Sequence, residues 1–167
     1  MYIMKKKTAE TNLLLPMIAC ILLVITDQLT KWLTLERLKP IGQIVMIDDF
    51  FFLTYVENRG AAFGFLQGGR WFFIAITVLI VFIAIFYYIK ESCKPLRVSV
   101  VMIISGAVGN FIDRLYRGFV VDMLHFRFFG NYDFAVFNFA DMLVVCGTIL
   151  LAVSILFFQK EDKGEEE

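Results

Sequence analysis

The sequence predicts an all-α membrane protein with four transmembrane helices, a small extracytoplasmic β hairpin or sheet, and a helix or loop lid on the same, periplasmic side. Three observations carry that prediction. Apolar residues occupy 59% of the 167 positions, against about 45–50% in soluble domains, and the mean hydropathy is +0.74. Four stretches carry no charge: Thr11 to Thr26, Trp71 to Ile89, Val98 to Ile112 and Met142 to Gln159. With their helical flanks each reaches the roughly 20 residues that cross ~30 Å of hydrocarbon. The length suits a single integral membrane domain over 1–167, with spans at about 13–35, 71–89, 96–115 and 137–158, and extracytoplasmic segments 36–70 and 116–136.

The first span follows the basic run Lys5-Lys6-Lys7 and a cap at Thr11 or Asn12, and continues past Asp27 to about Leu35. A cleavable signal peptide ending near Cys20 is the competing reading. The apolar stretch before Cys20 is too short for it, and the run continues beyond the cysteine. Between spans one and two, Gly42 to Tyr55 is rich in β-formers broken by Asp48-Asp49, which predicts two short strands or a hairpin at the membrane surface. The second span is uncharged between Arg70 and Lys90. The third ends on Asn110, Asp113 and Arg114, and the fourth opens on Asn138 and Asp141. Arg117 to Val136, with Gly118, Gly130 and Asn131 among aromatics, is expected to form the mobile lid.

Lys5, Lys6, Lys7, Lys90, Lys94, Arg97, Lys160 and Lys163 fall on one side of a four-span chain, more densely than the basic residues of the other side, so both termini are expected in the cytoplasm. Asp27 lies fourteen residues beyond Leu13, about 21 Å along a helix. That orientation therefore brings Asp27, Asn110, Asp113, Arg114, Asn138 and Asp141 to one depth near the outer face. Asp27 with Lys31, Asn110 with Arg114, and Asn138 with Asp141 are spaced i,i+4, i,i+4 and i,i+3, so each pair shares a helix face. Such faces look into a bundle or a wet cleft rather than to lipid.

Charge and composition remove several classes of function. Sixteen Lys and Arg balance sixteen Asp and Glu, which leaves no basic surplus for nucleic acid. His125 is the only histidine, and Cys20, Cys93 and Cys146 form no CxxC pair. No metal site, no cofactor and no disulfide framework are therefore expected. His125 has no GxSxG-type serine to activate. Carboxylate pairs remain: two aspartates within hydrogen-bond reach share one proton and supply a base and an acid together. Spacing leaves four candidates, Asp27, Asp113, Asp122 and Asp141. Lys31 is expected to neutralise Asp27, and Asp113 stands beside Arg114, whereas Asp122 and Asp141 have apolar flanks and no obvious basic partner.

Five blocks stand in order along the chain: Asp27-Gln28-Leu29-Thr30-Lys31, Asn58-Arg59-Gly60-Ala61-Ala62-Phe63-Gly64, Gly106 to Arg114 (GAVGNFIDR), Gly118-Phe119-Val120-Val121-Asp122, and Phe137-Asn138-Phe139-Ala140-Asp141. Together with the four spans they make the sequence resemble the lipoprotein signal peptidases, the bacterial type II signal peptidases of the inner membrane. The resemblance implies an aspartyl endopeptidase that removes signal peptides from prolipoproteins, cutting on the amino side of a diacylglyceryl-modified cysteine. It further implies a multi-pass enzyme of the cytoplasmic membrane, in contact with membrane lipid, whose active site faces outward; a monomer is expected. By the resemblance, Asp122 and Asp141 are the catalytic pair. Asn58, Gly60, Asn110, Asp113, Arg114 and Asn138 match residues that line or support the site, and Asp27 and Lys31 match its supporting pair. Met123 stands where the family often has Phe, and Ser105 where Gly is common. The alternative is a small proton-linked carrier, but carriers place coupling carboxylates near the bilayer midplane on broken helices, and no proline follows Pro16 within these spans.

Overall fold

In the computed structural model of the chain, residues 13–60, 68–129 and 132–158 are described. The expectations for Lys5 to Lys7, the block residues Ala61 to Gly64, and Gly130 and Asn131 lie outside those residues. Among the described residues four helices are long and apolar enough to cross a membrane. They are α1 (Leu14–Leu33), α2 (Arg70–Lys90), α3 (Lys94–Tyr116) and α4 (Phe139–Phe158). A π-helical turn, Thr34–Leu38, lengthens α1 beyond the predicted end. Most side chains of α2 face outward, as the uncharged run from Trp71 to Ile89 requires in hydrocarbon.

Helix α3 is the axis of the bundle, packing against α1, α2 and α4. Its contact with α4 is made close by glycine. A Cβ on Gly106 would collide with the Ala140 carbonyl oxygen and come within 2.8 Å of Val144 Cγ2, and one on Gly147 would lie 2.9 Å from Ile103 Cγ1. Small residues of this kind let two membrane helices approach backbone to backbone. A Cβ on Gly109, on the α1 side, would lie 2.5 Å from Asp27 Oδ2, so its absence makes room for a carboxylate.

At one end of the bundle stands a four-stranded antiparallel sheet in the order β1 (Gln43–Ile47), β2 (Phe51–Asn58), β3 (Val120–Phe128), β4 (Tyr132–Asp133). The predicted hairpin is β1 and β2, turning at Asp48-Asp49 with Asp49 in the left-handed region at φ 55°. The expected lid is a correction: of the stretch Arg117 to Val136, nine residues form β3, paired on one edge to β2 and at its far end to β4. The run Val-Val-Asp-Met-Leu-His-Phe-Arg-Phe is rich in β-branched and aromatic residues that fit a pleated, half-buried surface. Of the glycines that suggest a lid, Gly118 precedes this strand and turns the chain into it. Gly118, at φ 83°, ends α3 and donates its N–H to the Asp113 carbonyl at 3.2 Å. The chain then enters β3 two residues later.

The inner face of β3 puts Val121 and Met123 into a core with Leu38 of the π-helical turn, with Leu35, Leu53, Tyr55 and Phe119 packed around it. Met123 fills this core at 5% exposure. On entering α4, Phe137 is stitched to β3: its carbonyl accepts from Met123 and Leu124, and its N–H donates to Leu124. Sheet and fourth helix are thereby registered to each other next to Asp122 and Asn138.

Candidate active site

The first turn of α4 builds one half of the site. Asn138 precedes the helix, and its Oδ1 accepts the Asp141 N–H at 3.0 Å while Asp141 Oδ2 accepts the Asn138 N–H at 3.1 Å. This is a reciprocal capping box. The i,i+3 spacing read as a shared face is thus a helix start that locks the Asp141 carboxylate in place. The other Asp141 oxygen, Oδ1, accepts Asn110 Nδ2 at 2.8 Å.

The second half comes from the sheet. Asp122 is buried on β3, and Asn58 sits diagonally across from it on β2, opposite Val120. Asn58 Nδ2 donates to Asp122 Oδ2 at 2.9 Å, and Asn138 Nδ2 donates to Asp122 Oδ1 at 2.6 Å. Asn138 therefore binds both carboxylates, Asp141 through its backbone N–H and Asp122 through its side chain. Among the described residues neither Asp122 nor Asp141 forms an ion pair; their hydrogen-bond donors are neutral amides. Burial first, and then the charge of Asp141, push the Asp122 carboxyl up to about 7.

A charged cluster lies beneath the pair. Lys31 is fully buried, and its three N–H bonds match three acceptors: Asp27 Oδ2 at 2.9 Å, Asn110 Oδ1 at 2.9 Å and Asp113 Oδ2 at 3.3 Å. Each of these carboxylates also holds a backbone N–H. Asp27 Oδ1 accepts Ala140 at 3.0 Å, one residue before Asp141, and Asp113 Oδ2 accepts Val121 at 3.0 Å, one residue before Asp122. The ion pair read between Asp27 and Lys31 is present.

The expected proximity of Asp113 to Arg114 does not become a pairing. Neighbours in a helix point to different sides, and Asp113 instead meets Lys31 and, four residues on, Arg117. Arg114 turns outward to donate to the Gly60 carbonyl at 3.1 Å, with its guanidinium 4.8 Å from the centre of the Phe73 ring. Gly60 is itself held by its N–H on Asn58 Oδ1 at 3.0 Å. The structure thus brings Asp27, Lys31, Asn58, Gly60, Asn110, Asp113, Arg114, Asp122, Asn138 and Asp141 into one continuous network.

Two further members were not singled out from the sequence. Gln28 donates to Asp27, the Gly109 carbonyl and Asp113 at 3.1–3.2 Å and accepts from Arg117 at 3.1 Å. With Arg117 on Asp113, two cations balance two carboxylates beneath the pair. The signals were a glutamine next to Asp27 inside an apolar span and the i,i+4 spacing of Asp113 and Arg117.

Arg114 offers the first prediction. Its planar head holds Gly60 and stacks on Phe73 at once, which the compact ammonium of lysine does not reproduce. Arg114→Lys is expected to insert into the membrane normally and to lose at least roughly tenfold in turnover, the scale of one charged hydrogen bond. Turnover at the wild-type rate would reduce Arg114 to a membrane-surface anchor.

The comparisons with known proteins bear on the same residues. Residues 19–157 match the sequence profile of the family described as Signal peptidase (SPase) II. The lipoprotein signal peptidase of Clostridioides difficile is 44% identical over 144 residues, covering 86% of this chain and 95% of that protein. That of Caldanaerobacter subterraneus is 47% identical over 135 residues, covering 80% and 90%. A bacterial membrane enzyme solved by the in meso method at 2.3 Å resolution superposes with a TM-score of 0.79 at 34% identity, over 92% of both chains. The matched profile runs from α1 to the end of α4 and so takes in every residue of the network, and on that breadth the chain belongs to the signal peptidase II family.

Proposed function

We propose that this chain removes the signal peptide from diacylglyceryl-modified prolipoproteins, cutting on the amino side of the lipidated cysteine, with Asp122 and Asp141 as the catalytic aspartates. The observation that carries the reading is that two buried or partly buried carboxylates are joined through Asn138 and held by amides, with no ion pair to either among the described residues. Such a pair retains one proton between its members. The ionised carboxylate takes a proton from water as that water attacks the scissile carbonyl, and the protonated one donates to the carbonyl oxygen; the resulting gem-diol then collapses, the C–N bond breaking as the first aspartate passes its proton to the leaving nitrogen and the second recovers its own from the diol hydroxyl. The cluster of Lys31, Asp27 and Asp113 holds the pair, and Arg114 and Gly60 stand beside it to position the substrate chain. The direct experiment is purified protein in detergent with a diacylglyceryl-modified prolipoprotein, read as a mobility shift. Absence of cleavage with that substrate, in protein that remains folded, overturns the reading.

The shared proton has a pH signature. With the Asp122 carboxyl at about 7, activity is expected to fall as pH rises through that value, because the proton donated to the scissile carbonyl oxygen is lost. A rate profile flat across neutral pH refutes the shared proton. The sign for stability follows the same shift. The native state keeps a proton that the unfolded chain releases near 3.8, so this group's contribution declines as pH rises from that value to about 7 and is level above it.

The proposed setting is the bacterial cytoplasmic membrane, with the protein acting as a monomer in contact with lipid, both termini in the cytoplasm and the sheet and aspartates toward the outer face. The denser clustering of lysine and arginine in the segments assigned to the cytoplasmic side supports that orientation. A cysteine introduced at Asp49, at the tip of the hairpin, should react with an impermeant thiol reagent on intact cells. Reaction only after permeabilisation reverses the topology.

A further inference from the structure

The end of the bundle remote from the aspartates carries a second site. There α1 and α2 both lie on α3 without closing on each other. They leave an open groove of about 300 Å³ lined by Met17 and Cys20 of α1, Ile85 and Tyr88 of α2, and Val101 and Ile104 of α3. Its lining is almost wholly apolar, as suits a hydrocarbon chain. Its longest wall runs from Leu13 to Cys20, seven residues or roughly 10 Å along α1.

The mouth of the groove is cationic. Arg97 is laid against the groove by Tyr88: its Nη2 donates to the tyrosine Oη at 2.7 Å, and its guanidinium sits 4.4 Å from the ring centre. Tyr88 is buried, so it fixes the arginine rather than following it. That bond uses one of five guanidinium N–H donors. Lys90 and Lys94 stand at the adjoining helix ends, exposed. Among the described residues none of these three cations forms an ion pair. The one described acidic residue at this end, Glu91, spends its Oε1 on the Ser92 and Cys93 backbone N–H groups.

We propose that this groove is a binding site for an anionic glycerophospholipid, with one acyl chain between α1 and α2 and the headgroup phosphate on Arg97. An acyl slot capped by a pre-positioned guanidinium, without an ion pair among the described residues and flanked by two lysines, is complementary to a phosphate attached to a chain. Basic pockets between membrane helices take anionic headgroups in this way. A neutral zwitterionic lipid would fill the same slot but bring its own cation against the three basic residues. The site is at the opposite end of the spans from Asp122 and Asp141, and its occupancy does not depend on their chemistry.

Native mass spectrometry of the full chain, with phosphatidylglycerol and phosphatidylcholine of matched acyl chains offered together, tests the proposal. Phosphatidylglycerol should be retained with a preference of roughly tenfold, the scale of one charged hydrogen bond. Arg97→Gln, a change at a partly exposed side chain, should bring the two lipids to near-equal retention, and Lys94→Gln should reduce the preference less. Val101→Trp should fill the slot and displace the bound lipid while leaving Arg97 in place. Equal retention of both lipids by the unaltered protein, a preference that survives Arg97→Gln, or full retention in a folded Val101→Trp protein each overturns the site.

Discussion

Replacing either Asp122 or Asp141 by Asn is expected to lower turnover by roughly 10²–10⁴-fold, the range for loss of a general acid or base. The double replacement should cost little more than either single one, because groups that act as a unit are strongly non-additive. Asparagine conserves size but exchanges one acceptor oxygen for a donor nitrogen. Both oxygens of Asp122 accept amide protons, from Asn58 and Asn138, and both oxygens of Asp141 accept, from Asn110 and the Asn138 backbone. Each variant therefore also opposes two donors at one contact and should unfold somewhat earlier, so a thermal scan must accompany the assay. A chelator and reagents against serine or thiol groups are expected to leave the wild-type rate unchanged. Full cleavage by a folded Asp141→Asn protein sinks the aspartyl mechanism.

The largest loss of stability is expected at Lys31. Removing one partner of a buried ionic group leaves the other charge uncompensated and costs about 3–5 kcal/mol, and here Lys31→Met strands two carboxylates at once, Asp27 and Asp113. Asp27→Asn is milder, since Asn retains an oxygen for the Ala140 N–H and Lys31 retains Asp113 and Asn110. It should leave measurable cleavage. The combination of Asp27→Asn with Lys31→Met should be more stable than Lys31→Met alone, because it removes one of the two stranded charges. Thermal unfolding in detergent measures all three. Wild-type stability of Lys31→Met would show that the ammonium does not hold the cluster.

Much of this was legible before the fold was known, and the misses share a cause. Span number and position follow from hydropathy, because lipid forces backbone polar groups into helices. The Asp27 and Lys31 pair is a local i,i+4 contact and can be read from spacing. Partners set by the bundle could not be read that way. Adjacency in sequence suggests Arg114 as the neighbour of Asp113, whereas the packing of α1 on α3 decides that it meets Lys31, and only its contact with Arg117 is local. Glycines flanking Val120 to Phe128 suggest a mobile loop, whereas the β-branched and aromatic residues between them form a strand paired into the sheet. Residue spacing alone left four aspartates open. The narrowing to Asp122 and Asp141 used their apolar flanks and the block pattern, since the amide contacts around them arise from three separate elements.

The two carboxylates that share Lys31 each grip the backbone one residue ahead of a candidate catalytic aspartate, Ala140 before Asp141 and Val121 before Asp122. Both jaws of the site are therefore dimensioned from a single datum, the Lys31 nitrogen. A change at that nitrogen reaches both halves of the site at once, through Ala140 on the helix side and through Val121 on the sheet side.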